Sequence, residues 1–295
     1  MKAIKHFCAL CAIGMALFAC EKPLIDEGIN SSNSGNVRLT FTASNSDPVT
    51  RAATDNLGLY FGKLNIQVFD AWGEKAFATM KTQTSGDSGF GSLACQLSEG
   101  SYTVVAVGHS STKSATIKST EMVQFTASDG EKLTDTFCYC GQIEVGDDEP
   151  LQQTFQMQRV GAMVQFVLTD SVVPEQFAKM VIGYTGGSAN FNPSTSEGTT
   201  KSTQSEARQR NDSNTYQVFT FPYQAATGSL KMTLTAYDGD GNTLRQRVFE
   251  SVPVTRNRIT CYTGPLFTDG EGTITQSGFG FTVNGDWEGE DSFQF

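Results

Sequence analysis

Apolar and polar residues alternate with a period of two along much of the chain. Val37, Leu39 and Phe41 form one such run and Leu64, Ile66 and Val68 a second; Val164, Phe166 and Leu168 form a third, and Leu230, Met232, Leu234 and Ala236 a fourth. Successive side chains of an extended strand point to opposite faces, so each run predicts a strand with one face on a core and Thr, Lys, Gln or Asn outward. Tyr102 to Val107 is apolar on both faces and predicts a central strand. Turn-forming sequences separate the runs: Asp70-Ala71-Trp72-Gly73, Ser98-Glu99-Gly100 and Asp238-Gly239-Asp240-Gly241-Asn242. No apolar stripe at helical spacing persists beyond about two turns, Val173 to Lys179 being the best short candidate. The pattern predicts an all-β protein of antiparallel sandwiches.

A chain of 295 residues can hold two separate cores. The acidic, Pro-bearing bridge Val145-Gly146-Asp147-Asp148-Glu149-Pro150 precedes a fresh alternating run that begins near Leu151 or Arg159, which places the boundary there. The expected organisation is a first sandwich over residues 37–150, a second over 151–270 and a terminal strand segment over 271–295. Thr185 to Asn214 is polar with one aromatic, Phe191, and is expected to be a surface excursion rather than a binding loop.

Composition agrees with sheet. Thr (34) and Ser (26) together carry a hydroxyl on about a fifth of the residues, and Phe (21) outnumbers Leu (16). The net charge of −10 and the absence of a basic stripe exclude a nucleic-acid surface, which needs clustered Lys and Arg. His6 and His109 are the only imidazoles, too few for most metal sites and triads.

The amino-terminal residues read as an address. Lys2, Lys5 and His6 precede an apolar run from Phe7 to Ala19, too short to span a bilayer but suited to a secretion signal over residues 1–19. Leu17-Phe18-Ala19-Cys20 resembles a bacterial lipobox, in which Cys20 would take a diacylglycerol and the new amino terminus a further acyl chain. Three chains would hold the protein firmly, since each buried CH₂ contributes about 0.8 kcal/mol and a single myristoyl chain binds only marginally. Residues 20–36 lack periodicity and read as a tether. Acidic residues soon after the cysteine suit a surface-exposed lipoprotein of the outer membrane.

Candidate chemistry is sparse. Asp238, Asp240 and Asn242 have the spacing of the first ligands of a calcium loop, but Thr243 stands where that loop needs Gly and Phe249 where it needs Glu; a hairpin turn is the better reading. Cys95, Cys138, Cys140 and Cys261 remain beyond the signal, and one structural disulfide and none are equally open. His109 ends a strand without a nucleophile elbow. Asp147 and Asp148 sit in a solvated acidic loop, so paired-carboxylate hydrolysis has no support. Neither an enzyme, a metal nor a cofactor is expected.

The carboxyl end is more informative. Phe279, Phe281, Val283, Trp287, Phe293 and Phe295 all fall on odd positions, so an extended segment would show an aromatic comb along one edge. The comb is either the last strand of the protein's own sandwich or a strand offered to a neighbour by β-augmentation. It could also end an outer-membrane barrel, but the chain lacks the repeated ten-residue strands of one.

LNIQVFDAWGEK (64–75), LSEGSYTVVAVG (97–108), QRVGAMVQF (158–166) and VTRNRITCYTGPLF (254–267), together with the lipobox, resemble the FimB-like anchor and accessory subunits of Bacteroidales type V fimbriae. The resemblance covers roughly residues 1–270. It implies two tandem transthyretin-like, Greek-key β-sandwich domains and an outer-membrane lipoprotein. It also implies partnership with other fimbrial subunits through strand exchange, in adhesion and biofilm formation. In fibre-forming relatives cleavage after an Arg vacates a groove; Arg51, in Val49-Thr50-Arg51-Ala52-Ala53, is the corresponding candidate, which an anchor would keep intact. A rival reading is a surface module for a glycan or protein ligand of a host or bacterial surface, with Trp72, Trp287 and Phe191 as its loop-based aromatic platform.

Overall fold

The computed structural model describes residues 35–43, 56–126, 131–147 and 149–268, with further strand segments at 273–274, 280–282 and 290–294. The first half supplies β1 (Val37–Ala43), β2 (Lys63–Asp70), β3 (Lys81–Thr84), β4 (Ser92–Cys95), β5 (Gly100–His109), β6 (Thr116–Ser119), β7 (Met122–Gln124), β8 (Phe137–Val145) and β9 (Leu151–Arg159). Seven of these join in the order β3-β2-β5-β8-β9-β1-β4. β8 and β9 pair only where Phe137 and Cys138 face Arg159 and Gln158, then diverge. The sheet therefore splits into two leaves, β3-β2-β5-β8 and β9-β1-β4, with Leu39, Phe41, Ile66, Val104, Phe137 and Phe155 packed between them. Each fully buried side chain of this kind contributes about 1.5–3 kcal/mol. Tyr102–Val107 lies in the centre of its leaf, as its two-sided apolar pattern predicts.

β9 belongs to this first sandwich, its residues 151–157 pairing parallel with the whole of β1. The chain thus crosses to the second core at Val160-Gly161, one strand later than the Val145–Pro150 bridge suggests. The bridge is the turn between β8 and β9. A Pro-bearing acidic turn and a domain linker look alike in sequence, and only the pairing of β9 tells them apart.

The second half supplies β10 (Ala162–Leu168), β11 (Phe177–Thr185), β12 (Asn190–Asn192), β13 (Glu197–Gly198), β14 (Gln204–Gln209), β15 (Thr215–Thr220), β16 (Thr227–Asp238), β17 (Thr243–Thr255), β18 (Ile259–Gly264), β19 (Thr273–Ile274), β20 (Gly280–Thr282) and β21 (Glu290–Gln294). Two sheets, β15-β10-β18-β21-β20 and β14-β11-β16-β17-β19, enclose a core that includes Phe166, Met180, Tyr216, Leu234, Phe249 and Tyr262. The molecule is all-β and sandwich-built. Most pairs are antiparallel, but β1 with β9, β10 with β18, β17 with β19 and β18 with β21 are parallel. The short helical candidate Val173 to Lys179 is not a helix: Phe177 opens β11.

Thr185 to Asn214 is not a surface excursion. Its β12 and β13 complete a sheet β13-β12-β7-β6 with strands of the first half, Phe191 facing Val123 in register. That sheet covers the outer face of the β2-β5-β8 leaf over a third core, in which Phe191 is wholly buried and lies 4.7 Å from Phe221. Polar neighbours conceal Phe191 in sequence because a two-stranded patch needs few apolar positions once its partner strands supply the rest. Polar contacts fasten the same junction: Lys132 Nζ donates to Gln204 Oε1 at 2.8 Å, and Arg159, held at 2.8 Å by Asp135 of its own half, donates through Nη1 to Asn257 Oδ1 at 3.4 Å.

Candidate functional site

The turn Thr255–Arg258 sets the position of β18. Asn257 adopts φ +58°, in the left-handed region that Asn tolerates, and its N–H donates to Gly161 O at 2.8 Å. β18 is thereby aligned parallel to β10, and β21 lies parallel on its other side with Ile259 to Thr263 facing Glu290 to Gln294. The register puts Phe166, Tyr262 and Phe293 in one row across three adjacent strands. Their rings form a ladder: Phe166 to Tyr262 at 5.8 Å, Tyr262 to Phe293 at 4.8 Å, both stacked, with Phe249 edge-on to Tyr262 at 5.0 Å. Burial pushes the Tyr262 phenol up to about 12, so it stays neutral. What the seat holds is a backbone ladder flanked by one aromatic pocket.

Of the comb residues, Phe293 is buried in this seat. Phe281 lies on β20, which runs antiparallel to β21 and pairs Phe281 with Asp291. The comb is therefore not one extended edge. Reversal gives β21 a backbone partner on both sides, whereas a single extended strand would leave one row of donors and acceptors bare. Phe279, Val283, Trp287 and Phe295 lie outside the described residues, as do Cys20, Arg51, the signal over 1–19 and most of the tether. The receiving residues Phe166 and Tyr262 escaped the sequence reading. Both sit on alternating strands, but nothing in the pattern reveals that their strands are neighbours.

At the far end of the first sandwich the chain joins β1 through Gly35 and Asn36. Asn36 Nδ2 donates to Leu97 O at 2.7 Å, the Leu97 N–H donates to Asn36 Oδ1 at 2.9 Å, and the Leu151 N–H donates to Asn36 O at 2.7 Å. A side chain at position 35 would run into the Cys95 carbonyl, which accounts for Gly35 there. The hairpin carrying Trp72 lies at this same pole. Asp70 Oδ1 accepts the N–H groups of Trp72 and Glu74, each at 2.9 Å, and Gly73 takes φ +80°. Trp72 stands out 87% exposed on this ordered turn. Phe191, by contrast, is withdrawn from any exposed platform by its burial.

His109 is fully buried at the end of β5. Its Nδ1 accepts the Ser111 N–H at 3.1 Å, which leaves the proton on Nε2, 2.8 Å from Asn65 Oδ1. Phe125 meets the ring edge-on at 5.2 Å. Burial, and then the Lys63 ammonium, bring its pKa down to about 4, so it is a neutral structural imidazole at physiological pH. Cys95, Cys138, Cys140 and Cys261 carry thiols rather than disulfides, and burial pushes the pKa of the first three up, which disfavours the reactive thiolate. The Asp238 carboxylate is taken up by the N–H groups of Asp240 and Asn242 and by Asn242 Nδ2, closing the expected hairpin turn. Among the described residues no three His, Cys, Asp or Glu converge as metal ligands, and no helix is long and apolar enough to cross a membrane.

No curated protein matches the chain. Among solved structures it is similar to a candidate adhesin from Bacteroides ovatus, with 12% identity over 71% of this chain and 76% of that one and a TM-score of 0.48. It is also similar to the fimbrial anchor protein Mfa2 from Porphyromonas gingivalis, with 14% identity over 71% of this chain and 80% of that one and a TM-score of 0.41. A third is the tip fimbrial protein Mfa3 from the same organism with C-terminal truncation, with 14% identity over 77% of this chain and 94% of that one and a TM-score of 0.38. Residues 30–294 match the family of unknown function DUF6562, and the chain belongs to that family.

Proposed function

We propose that the protein is a lipid-anchored structural subunit, anchor or accessory, of cell-surface fimbriae, joined to its neighbours by β-strand complementation. The observation that carries the reading is the seat of β21. A strand near the end of the chain is held by five backbone pairs on β18, three on β20 and one buried aromatic, Phe293. The same ladder and pocket can be filled by the equivalent strand of another subunit, with main-chain hydrogen bonds supplying affinity and the aromatic pocket fixing register. Exchange of this kind needs no nucleotide, because the association energy is held in the fold. The lipobox at Cys20 supplies the outer-membrane attachment, and the resemblance in the four segments quoted above supports the fimbrial setting.

Cys261 lies directly across from Ser292, at a neighbouring-strand distance within disulfide reach. In a Ser292→Cys variant, oxidation should lock β21 in its own seat and abolish co-purification with other fimbrial subunits, and a reductant should restore it. Co-purification that is the same in both redox states overturns strand exchange through β21. The anchor assignment has its own check: intact-mass measurement of the surface-extracted protein should show a chain beginning at acylated Cys20, and a start at Ala52 would contradict it.

The rival glycan-binding reading retains one observation, the exposure of Trp72. A glycan array that binds the protein and loses signal on Trp72→Ala would favour it.

A further inference from the structure

The strand registers place Trp72 at a particular pole of the molecule. Asp70 faces Tyr102, Gly100 faces Val145, and Val37 faces both Cys95 and Leu151. The Trp72 hairpin, the turn before Gly100, the 146–150 bridge and the start of β1 therefore share one end of the first sandwich. The other end holds Lys63 with His109, Ala43 with Met157 and Phe137 with Arg159, and from there β9 leads to the second sandwich. Fourteen residues lie between Cys20 and Gly35, a reach of about 50 Å at full extension. An acylated Cys20 is thus joined to the first sandwich at this pole, within reach of the lipid.

We propose that Trp72 docks into the headgroup layer of the membrane that holds the chain, giving the first sandwich a second attachment. The inference rests on the reading of Cys20 as acylated. An indole 87% exposed is an apolar ring with one polar N–H, the chemistry that settles at a bilayer interface. The turn beneath it is already ordered by the two bonds to Asp70 Oδ1, so docking has little conformational entropy to lose. One Trp alone binds a membrane weakly, but a tether turns that contact into an intramolecular one at high effective concentration. The exposed carboxylates of this pole, Glu74, Glu99, Glu144, Asp147 and Glu149, outnumber its exposed cations, Lys75 and Arg38, and so select the lipid. They oppose an anionic surface and permit a zwitterionic one.

The test compares tryptophan emission from the natural protein and from Trp72→Ala on vesicles of phosphatidylethanolamine and phosphatidylcholine with brominated acyl chains; the difference isolates Trp72, since Trp287 is common to both. Two preparations are used: the protein extracted with its lipid, and a chain beginning at residue 21 held by an amino-terminal histidine tag on nickel-chelating lipid. The Trp72 signal should shift to the blue and be quenched in both, less so when phosphatidylglycerol is added. Solvent-like, unquenched emission from protein that floats with the vesicles overturns the proposal, as does a glycan-array signal dependent on Trp72 with no response to lipid. If intact mass shows Cys20 unmodified, the acylation reading fails by itself, and the nickel-held chain still decides whether Trp72 docks.

Discussion

The chain is closed at each end by a strand that runs parallel to its host, β1 on β9 and β21 on β18, yet the two are held very differently. β1 has seven pairs with β9 and four with β4, and Val37, Leu39, Phe41 and Ala43 all project into the core. Phe41 packs 5.8 Å from Phe155, and its N–H donates to Gly91 O at 2.8 Å. β21 has five pairs with β18, three with β20, and the single buried ring of Phe293. Both follow the same rule of strand addition, but the amount of apolar surface committed decides how firmly each strand is held. β21 is the more weakly held, as the proposed exchange requires.

The largest expected effect tests that contrast. Phe41→Ala should cost about 3–5 kcal/mol of unfolding free energy, the range for truncating a buried Phe. Phe293→Ala should cost under about 2 kcal/mol, because β21 can leave its seat without unfolding the rest. Urea denaturation measures both; equal losses would break the comparison. Hydrogen exchange should likewise find the amides of 290–294 opening before those of 37–43.

Acid should separate the two sandwiches. His109 has a folded pKa near 4 against 6.5 for the unfolded chain, so the unfolded state binds the extra proton between those values. Stability is intact above pH 6.5 and falls as pH drops toward 4, by about 3 kcal/mol at that site. The second sandwich responds the other way at Glu206, whose pKa burial raises: its cost appears as pH rises and is relieved by acid. Stability measured between pH 7 and 4 should fall less steeply in His109→Gln than in the natural protein. Parallel curves would remove His109 from the account.

The smallest effect is expected on the outer face of β16 and β17, where Lys231 Nζ and Glu250 lie 2.8 Å apart with both side chains about half exposed. Lys231→Ala should change stability by about 0.2–0.5 kcal/mol and leave exchange of β21 untouched. A larger change would mean that this surface is coupled to the strand's seat.

Much of the fold was legible in the chain because alternation reports directly on which face of a strand is buried. The runs at Val37, Leu64, Val164 and Leu230 became β1, β2, β10 and β16, and the Asp238 hairpin formed where its turn residues stand. The site was legible only in part. Phe293 stood out as an aromatic at regular spacing, whereas its hosts Phe166 and Tyr262 did not, since spacing along one strand says nothing of which strand lies beside it.

By itself the sequence determined the all-β class, the acidic charge and the lipobox pattern, properties set by local composition and short-range periodicity. Tertiary structure alone decided that β9 closes the first sandwich, that Phe191 bridges the two halves, that the aromatic comb folds back on itself and that Trp72 shares a pole with the tether. Each of these depends on contacts between residues far apart in the chain, whose formation follows from the competition among all possible pairings for the same buried surface.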